Sequence, residues 1–275
     1  MATGERGLVI SNPIKIDGDT MYSEHSWLDE QELRFSLLFW DKLDFPDNNF
    51  ISSWGGQGSD FLQKAGVLNR TKVRFQGSEN AGSALIKAHL GAFRFLDERE
   101  PGVWSLGSGR NSLVFPDQDL DAGRGALFRL HQAIPVPDKD VPLADVLEFR
   151  TKRRDELLAL RYHLEGVYER IINAGDGDLA INRETETLET AIADHIKTSK
   201  ETGFRLRLAD MDAGLNLLSI AAGGFVAYKT GLPLLSGLLR GAVSGLSIDI
   251  GAGLKRRKPV ATPFQYISSY NKELF

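Results

Sequence analysis

The stretch Asp29-Glu30-Gln31-Glu32-Leu33-Arg34-Phe35-Ser36-Leu37-Leu38-Phe39-Trp40-Asp41-Lys42-Leu43-Asp44-Phe45-Pro46 passes from one periodicity to another without a long connection. Asp29 with Glu32 three residues on is a helix-starting pair, and Leu33, Leu37 and Trp40 share a helical stripe beside Phe35 and Leu38. Lys42–Phe45 then reads as a strand, stopped at Pro46. Upstream, Leu8–Ser11 predicts a strand ended by Asn12-Pro13, and Ile14-Lys15-Ile16 a second extended piece before the turn residues Asp17-Gly18-Asp19. Downstream the alternation continues, with helices over Ser59–Ala65, Ala81–Glu98 and Ala122–Ala133. Strands are expected at Lys72–Gln76, Val103–Leu106 and Ser112–Phe115. Strands separated by helices predict an α+β or α/β domain over residues 1–141.

Pro135, Pro137 and Pro142 close that pattern, and a different one begins. Leu157, Leu160, Leu164, Val167 and Ile171 step by three, four, three and four, the spacing of a coiled-coil seam, and predict one helix of some thirty residues from Pro142 to Gly175. A second helical stretch is expected from about Arg183 to Asp212, carrying Leu188, Ile192, Ile196, Leu206 and Met211. Joined through Gly175-Asp176-Gly177-Asp178, the two form a long antiparallel helical hairpin over residues 142–212, because each would otherwise leave an apolar stripe in water.

Residues 213–258 form a Gly-rich apolar helical segment. Ala213–Tyr228 is uncharged, Arg240 is isolated, and Lys255-Arg256-Arg257-Lys258 closes the stretch before a tail at 259–275. Gly237, Gly241 and Gly245 repeat every four residues, which on a helix makes a groove that another helix can approach closely. Such a helix needs a neighbour, because glycine is a poor helix former. Two outcomes are open: a hairpin packed within protein, or one that meets lipid conditionally through its flanking cations. A permanent span is disfavoured, since crossing takes about twenty apolar residues.

Composition narrows the classes. Across 275 residues, 42% are hydrophobic and 25% charged, the range of globular chains. The absence of cysteine removes disulfide scaffolds, thiolate metal sites and cysteine nucleophiles. With no signal-peptide core in the polar amino terminus, it suits a cytoplasmic location. A net charge of −4 supplies no global attraction for nucleic acid.

No chemistry-bearing motif is complete. His25, His89, His131, His163 and His195 are too far apart in sequence for a local metal pair, and no metal site or cofactor is expected. Gly223-Gly224-Phe225-Val226-Ala227-Tyr228-Lys229-Thr230 has Tyr228 where a phosphate loop needs its second glycine. Asp117, Asp119 and Asp121 lack the glycine and glutamate of a calcium loop. The loops Gly107–Arg110 and Trp54-Gly55-Gly56-Gln57-Gly58 are flexible stretches able to touch a ligand.

The basic cluster Arg150, Lys152, Arg153, Arg154 sits in a stretch, Glu148–Arg170, whose six cations face five anions. That balance describes a solvated, ion-paired helix face. Arg150 and Arg153 also extend the line of Leu157 backwards, which draws one or both inward, where a carboxylate or phosphate partner is expected.

Arg6-Gly7-Leu8-Val9-Ile10-Ser11-Asn12-Pro13, Leu37-Leu38-Phe39-Trp40-Asp41-Lys42-Leu43, Asp145-Val146-Leu147-Glu148-Phe149-Arg150, Arg153-Arg154-Asp155-Glu156-Leu157 and Pro263-Phe264-Gln265-Tyr266 together resemble an uncharacterised bacterial family, a domain of unknown function. The resemblance implies a bacterial origin and carries no activity. Its polar positions, Asp41, Lys42, Glu148, Arg150, Arg153, Arg154, Asp155 and Glu156, are the candidates for substitution. The reading leans away from an enzyme, towards a non-enzymatic interaction or assembly protein of a bacterial complex. It would be a homo-oligomer or bound to a protein partner through Gly237, Gly241 and Gly245. A stress or phage-defence role through conditional membrane contact extends that reading. The alternative is a nucleic-acid-binding or nuclease-like protein using the basic helix.

Overall fold

Helix α1 (Glu30–Phe39) begins at the cap its sequence supplies. Asp29 is extended, with φ −65° and ψ 131°, and its Oδ1 accepts the Glu32 N–H at 2.8 Å. The computed structural model describes residues 4–17, 20–23, 27–51, 53–76, 80–107, 113, 127, 130–134, 136–137, 141–201, 211–212 and 262–274. Met1–Leu215 with Pro263–Phe275 forms one unit and Asn216–Thr262 a second. Apart from Thr262, the second unit lies outside the described residues, and so do Gly237, Gly241 and Gly245.

The unit is mixed α/β, built on a parallel sheet of order β6-β4-β1-β8: Leu68–Asn69, Lys42–Asp44, Gly7–Val9 and Trp104–Leu106. Leu8 pairs with Leu43 on one side and Ser105 on the other, and Asp44 pairs with both Val9 and Asn69. The chain steps outward from β1 to β4 to β6 through α1 and α2 (Gly56–Lys64). It then returns through α3 (Ala81–Arg99) to the far side of β1. Right-handed crossovers therefore put α1 and α2 on one face and α3 on the other. On the α3 face Leu85 and Leu90 share a buried cluster with Val9, Trp104 and Leu106. On the other, Leu33 of α1 and Leu143 reach Gly58 of α2. At Gly7 a side chain would collide with the Trp104 ring, so this strand position has no room for a Cβ.

Three short ladders complete the unit. β2 (Ile14–Asp17) and β3 (Thr20–Ser23) form an antiparallel hairpin of which only the first strand was expected. β5 (Asp47–Asn48) and β7 (Lys72–Val73) extend the β4–β6 pairing past Pro46. β9 (Val136–Pro137) pairs antiparallel with β10 (Met211–Asp212). Met211 therefore ends in a strand, correcting the expectation of a helix to Asp212. Of the strand expected at Ser112–Phe115, only Leu113 is described, and it is not in a strand.

The expected thirty-residue helix is two: α4 (Leu143–Lys152) and α5 (Arg154–Ile172), broken at Arg153 with φ −105° and ψ 26°. The bend lets α4 lie on α1 while α5 packs on α6 (Gly177–Glu201) and on α7 (Gln265–Glu273). The seam is as the spacing predicts, for Leu157, Leu160 and Leu164 are fully buried and Val167 and Ile171 nearly so. Each such side chain contributes about 1.5–3 kcal/mol relative to exposure. In α1 every residue from Leu33 to Phe39 is buried, Arg34 and Ser36 included. It is a central helix, not a surface one, because α4 and Tyr266 of α7 cover the side that the stripe leaves open. Among the described residues no helix is long and apolar enough to cross a membrane.

Candidate functional site

A helix leaves its last carbonyls without intrahelical donors, and α1 ends inside the protein, where water cannot supply them. Three side chains distant in sequence do so. Arg150 Nη1 donates to the carbonyls of Leu37 (3.2 Å) and Trp40, Tyr266 Oη to Leu38 (2.8 Å), and Arg161 Nε and Nη2 to Phe39 (3.2 and 2.7 Å). Arg161 Nη1 also reaches Gly4 O at 2.9 Å and Asp41 Oδ2 at 2.6 Å. Asp41 receives in addition the Arg6 N–H at 2.9 Å and Arg154 Nη1 at 3.2 Å.

Two buried guanidiniums thus face one carboxylate, and the negative end of the α1 dipole offsets the remaining positive charge. Burial by itself would raise the Asp41 carboxyl. The charge and hydrogen bond of Arg161, the Arg6 N–H and the Arg150 charge outweigh it and hold the group below its ordinary value. Burial lowers both Arg150 and Arg161, against the pull of Asp41. Beside them, burial and the Arg161 and Arg6 charges push His131 down to about 4, against its hydrogen bond to Leu127. Its neutral ring packs on Trp40 with centroids 4.6 Å apart.

Arg150 does turn inward, but its bonds go to backbone carbonyls, with Asp41 acting through charge; a carboxylate or phosphate clamp was the expectation. Arg153 is only partly buried and pairs with Glu156 at 2.9 Å and with Glu273 of α7, which also takes Lys152. Lys42 bridges Glu100 (2.7 Å) and Glu5 (3.1 Å), and Glu148 is exposed on α4. The structure therefore brings Asp41, Arg150 and Arg154 together and leaves Lys42, Arg153 and Glu148 elsewhere. Arg161, counted in the sequence only as a surface cation, is the most buried of these arginines, at 2% exposure. Its place four residues after Leu157 was the available signal. His163 and His195 flank the Phe264 ring, and His195 Nε2 lies 2.6 Å from Ser268 Oγ.

A second polar group sits at the carboxyl end of the sheet. Asp44, the last residue of β4, is fully buried. Its Oδ2 accepts Asn69 Nδ2 at 3.0 Å and Thr71 Oγ1 at 2.7 Å, while its Oδ1 has no hydrogen-bond partner. Burial pushes this carboxyl up to about 6, against the hydrogen bonds from Thr71 and Asn69 and the nearby Arg70 charge. Arg70 stacks 4.3 Å above the Phe45 ring and donates to Ser53 O at 2.8 Å. His89 of α3 is buried against Leu85 O at 2.8 Å, and burial pushes it down to about 4. Ser11, after β1, accepts the Leu113 N–H at 2.6 Å. The sequence marked Asp44 only as a strand residue, since a buried carboxylate carries no pattern that distinguishes it from a turn aspartate.

Among the described residues no group of three or more histidines, aspartates or glutamates is placed to hold a metal. The loop Trp54–Gly58 runs into α2, where Gly56 has φ +82° and lies against Trp27. A cleft of about 240 Å³ opens there between Trp27, Leu28, Glu30 and Trp54.

No curated protein and no solved structure matches this chain. A family model described as a family of unknown function matches residues 12–275, so the chain belongs to that family, DUF6236.

Proposed function

We propose that this chain is a non-enzymatic interaction and assembly protein, a rigid brace of sheet domain and helical arm that associates with a second copy of itself. The observation that carries the reading is where the cations of the arm end. Arg150, Arg153, Arg154 and Arg161 all bond acceptors of their own chain. Binding a polyanion requires cations turned outward, and each of these would first have to break an internal contact. That spending of charge weighs against the alternative, a nucleic-acid-binding or nuclease-like role. Side chains of the kind that anchor protein interfaces are meanwhile turned outward, with Trp54 at 56% and Tyr162 at 59% exposure. A stress or phage-defence role, with residues 213–258 meeting lipid on a trigger, is carried by the composition of that stretch alone.

Light scattering over a concentration series tests the assembly. A mass rising to a fixed multiple, and reduced by Trp54→Ala or Tyr162→Ala, is expected; a strict monomer throughout would overturn it. Gel-shift titrations with duplex DNA and single-stranded RNA at low and high salt test the alternative, and steep salt-dependent binding would favour it. Sedimentation with anionic vesicles tests the lipid extension.

A further inference from the structure

In open parallel sheets, ligands bind outside the carboxyl ends of the strands, at the point where successive connections leave for opposite faces. In the order β6-β4-β1-β8 that point lies between β1 and β8, and β4 flanks it on the other side of β1. Asp44 ends the neighbouring strand, in register with Val9. One of its oxygens is filled by Asn69 and Thr71 and the other, fully buried, accepts nothing. A native structure rarely leaves such an atom bare, and where it does, an ion, a water or a ligand belongs there. The scaffold does not require a carboxylate here, since an amide oxygen would accept the same two hydrogen bonds.

We propose that Asp44 Oδ1 is the acceptor for a sugar hydroxyl and that Asp44, Asn69 and Thr71 bind the ribose of a nucleoside. A carboxylate oxygen with both lone pairs free calls for O–H or N–H donors. The Arg70 charge within reach disfavours a cationic occupant and favours a neutral donor such as a hydroxyl. In dinucleotide-binding sheets of this strand order an acidic side chain after the second parallel strand meets the ribose, and Asp44 holds the corresponding position. The chain after β1 reads Ile10-Ser11-Asn12-Pro13-Ile14-Lys15, without the Gly-x-Gly-x-x-Gly turn that cradles a pyrophosphate. A nucleoside fits this end of the sheet, and a dinucleotide does not. Asn69, whose amide bonds Asp44 Oδ2, is exposed on the edge strand β6. The site is independent of the assembly reading.

Saturation-transfer NMR on the full chain at neutral pH, with adenosine, ribose, 2′,3′-dideoxyadenosine and methylammonium, tests it. Adenosine and ribose are expected to bind, and dideoxyadenosine and methylammonium are not. Asp44→Asn should weaken adenosine by roughly tenfold or more, and Thr71→Val by less. A urea transition of Asp44→Asn at or above that of the parent shows that a loss is not unfolding. Silence from adenosine and ribose means that a buried water fills the gap, and the proposal fails. It fails equally if dideoxyadenosine binds as well as adenosine, if methylammonium binds through Asp44, or if Asp44→Asn binds undiminished.

Discussion

Replacing Asp44 by asparagine should stabilise the protein at neutral pH and not in acid. The carboxyl is pushed up to about 6 by burial in the folded chain, whereas an unfolded aspartate titrates near 3.9. The folded state thus binds the proton more tightly. The associated stability is fully present below the unfolded value, is lost as pH rises through about 6, and stays lost above it. A difference of about two units at 1.36 kcal/mol each gives about 3 kcal/mol, an upper figure because the site can relax. Asparagine keeps the acceptor for Asn69 and Thr71 and carries no charge; its amide N–H, placed where Oδ1 stands, subtracts a pH-independent cost. Urea unfolding of parent and variant at about pH 4.5 and about pH 7.5 isolates the effect, because every other titrating group cancels in the difference. The variant should gain up to about 2 kcal/mol on the parent between those conditions, because at about pH 4.5, above the unfolded value, about 1 kcal/mol of the total is already lost. A difference flat to within about 0.5 kcal/mol would refute the claim that Asp44 is buried with an unmet charge.

Arg161→Met, which leaves Asp41 without its main partner and bares the Phe39 and Gly4 carbonyls, should cost about 3–5 kcal/mol by denaturant unfolding. Arg161→Lys should recover only part of it, because an ammonium cannot span three acceptors in one plane. Tyr266→Phe removes one buried bond, to Leu38 O, and should cost about 1–2 kcal/mol with the far-ultraviolet spectrum unchanged. Asp29→Ala should cost about 1 kcal/mol, recovered by Asp29→Ser.

Local signals reported local structure faithfully. The Asp29 cap, the strand at Lys42 and the Leu157–Ile171 seam all lie where spacing and capping chemistry put them, since each is decided by residues a few positions apart. The break at Arg153 escaped because the heptad line runs straight through it. What bends the chain there is the need for α4 to cover α1 while α5 covers α6 and α7, a demand made by three other helices. Arg161 looked like one more cation on a balanced face, for nothing within several residues of it marks the carbonyls it serves.

From the linear chain alone came the alternation of strand and helix, the start of α1 and the apolar seam of α5, all governed by short-range periodicity and backbone capping. Tertiary structure alone decided that residues 150, 161 and 266 would converge on the end of a helix that closes at residue 39. It also decided that one oxygen of the Asp44 carboxylate would be buried without a hydrogen-bond partner. Both depend on which groups lose their water when distant segments meet, and desolvation is a property of the packed volume, which no local pattern encodes.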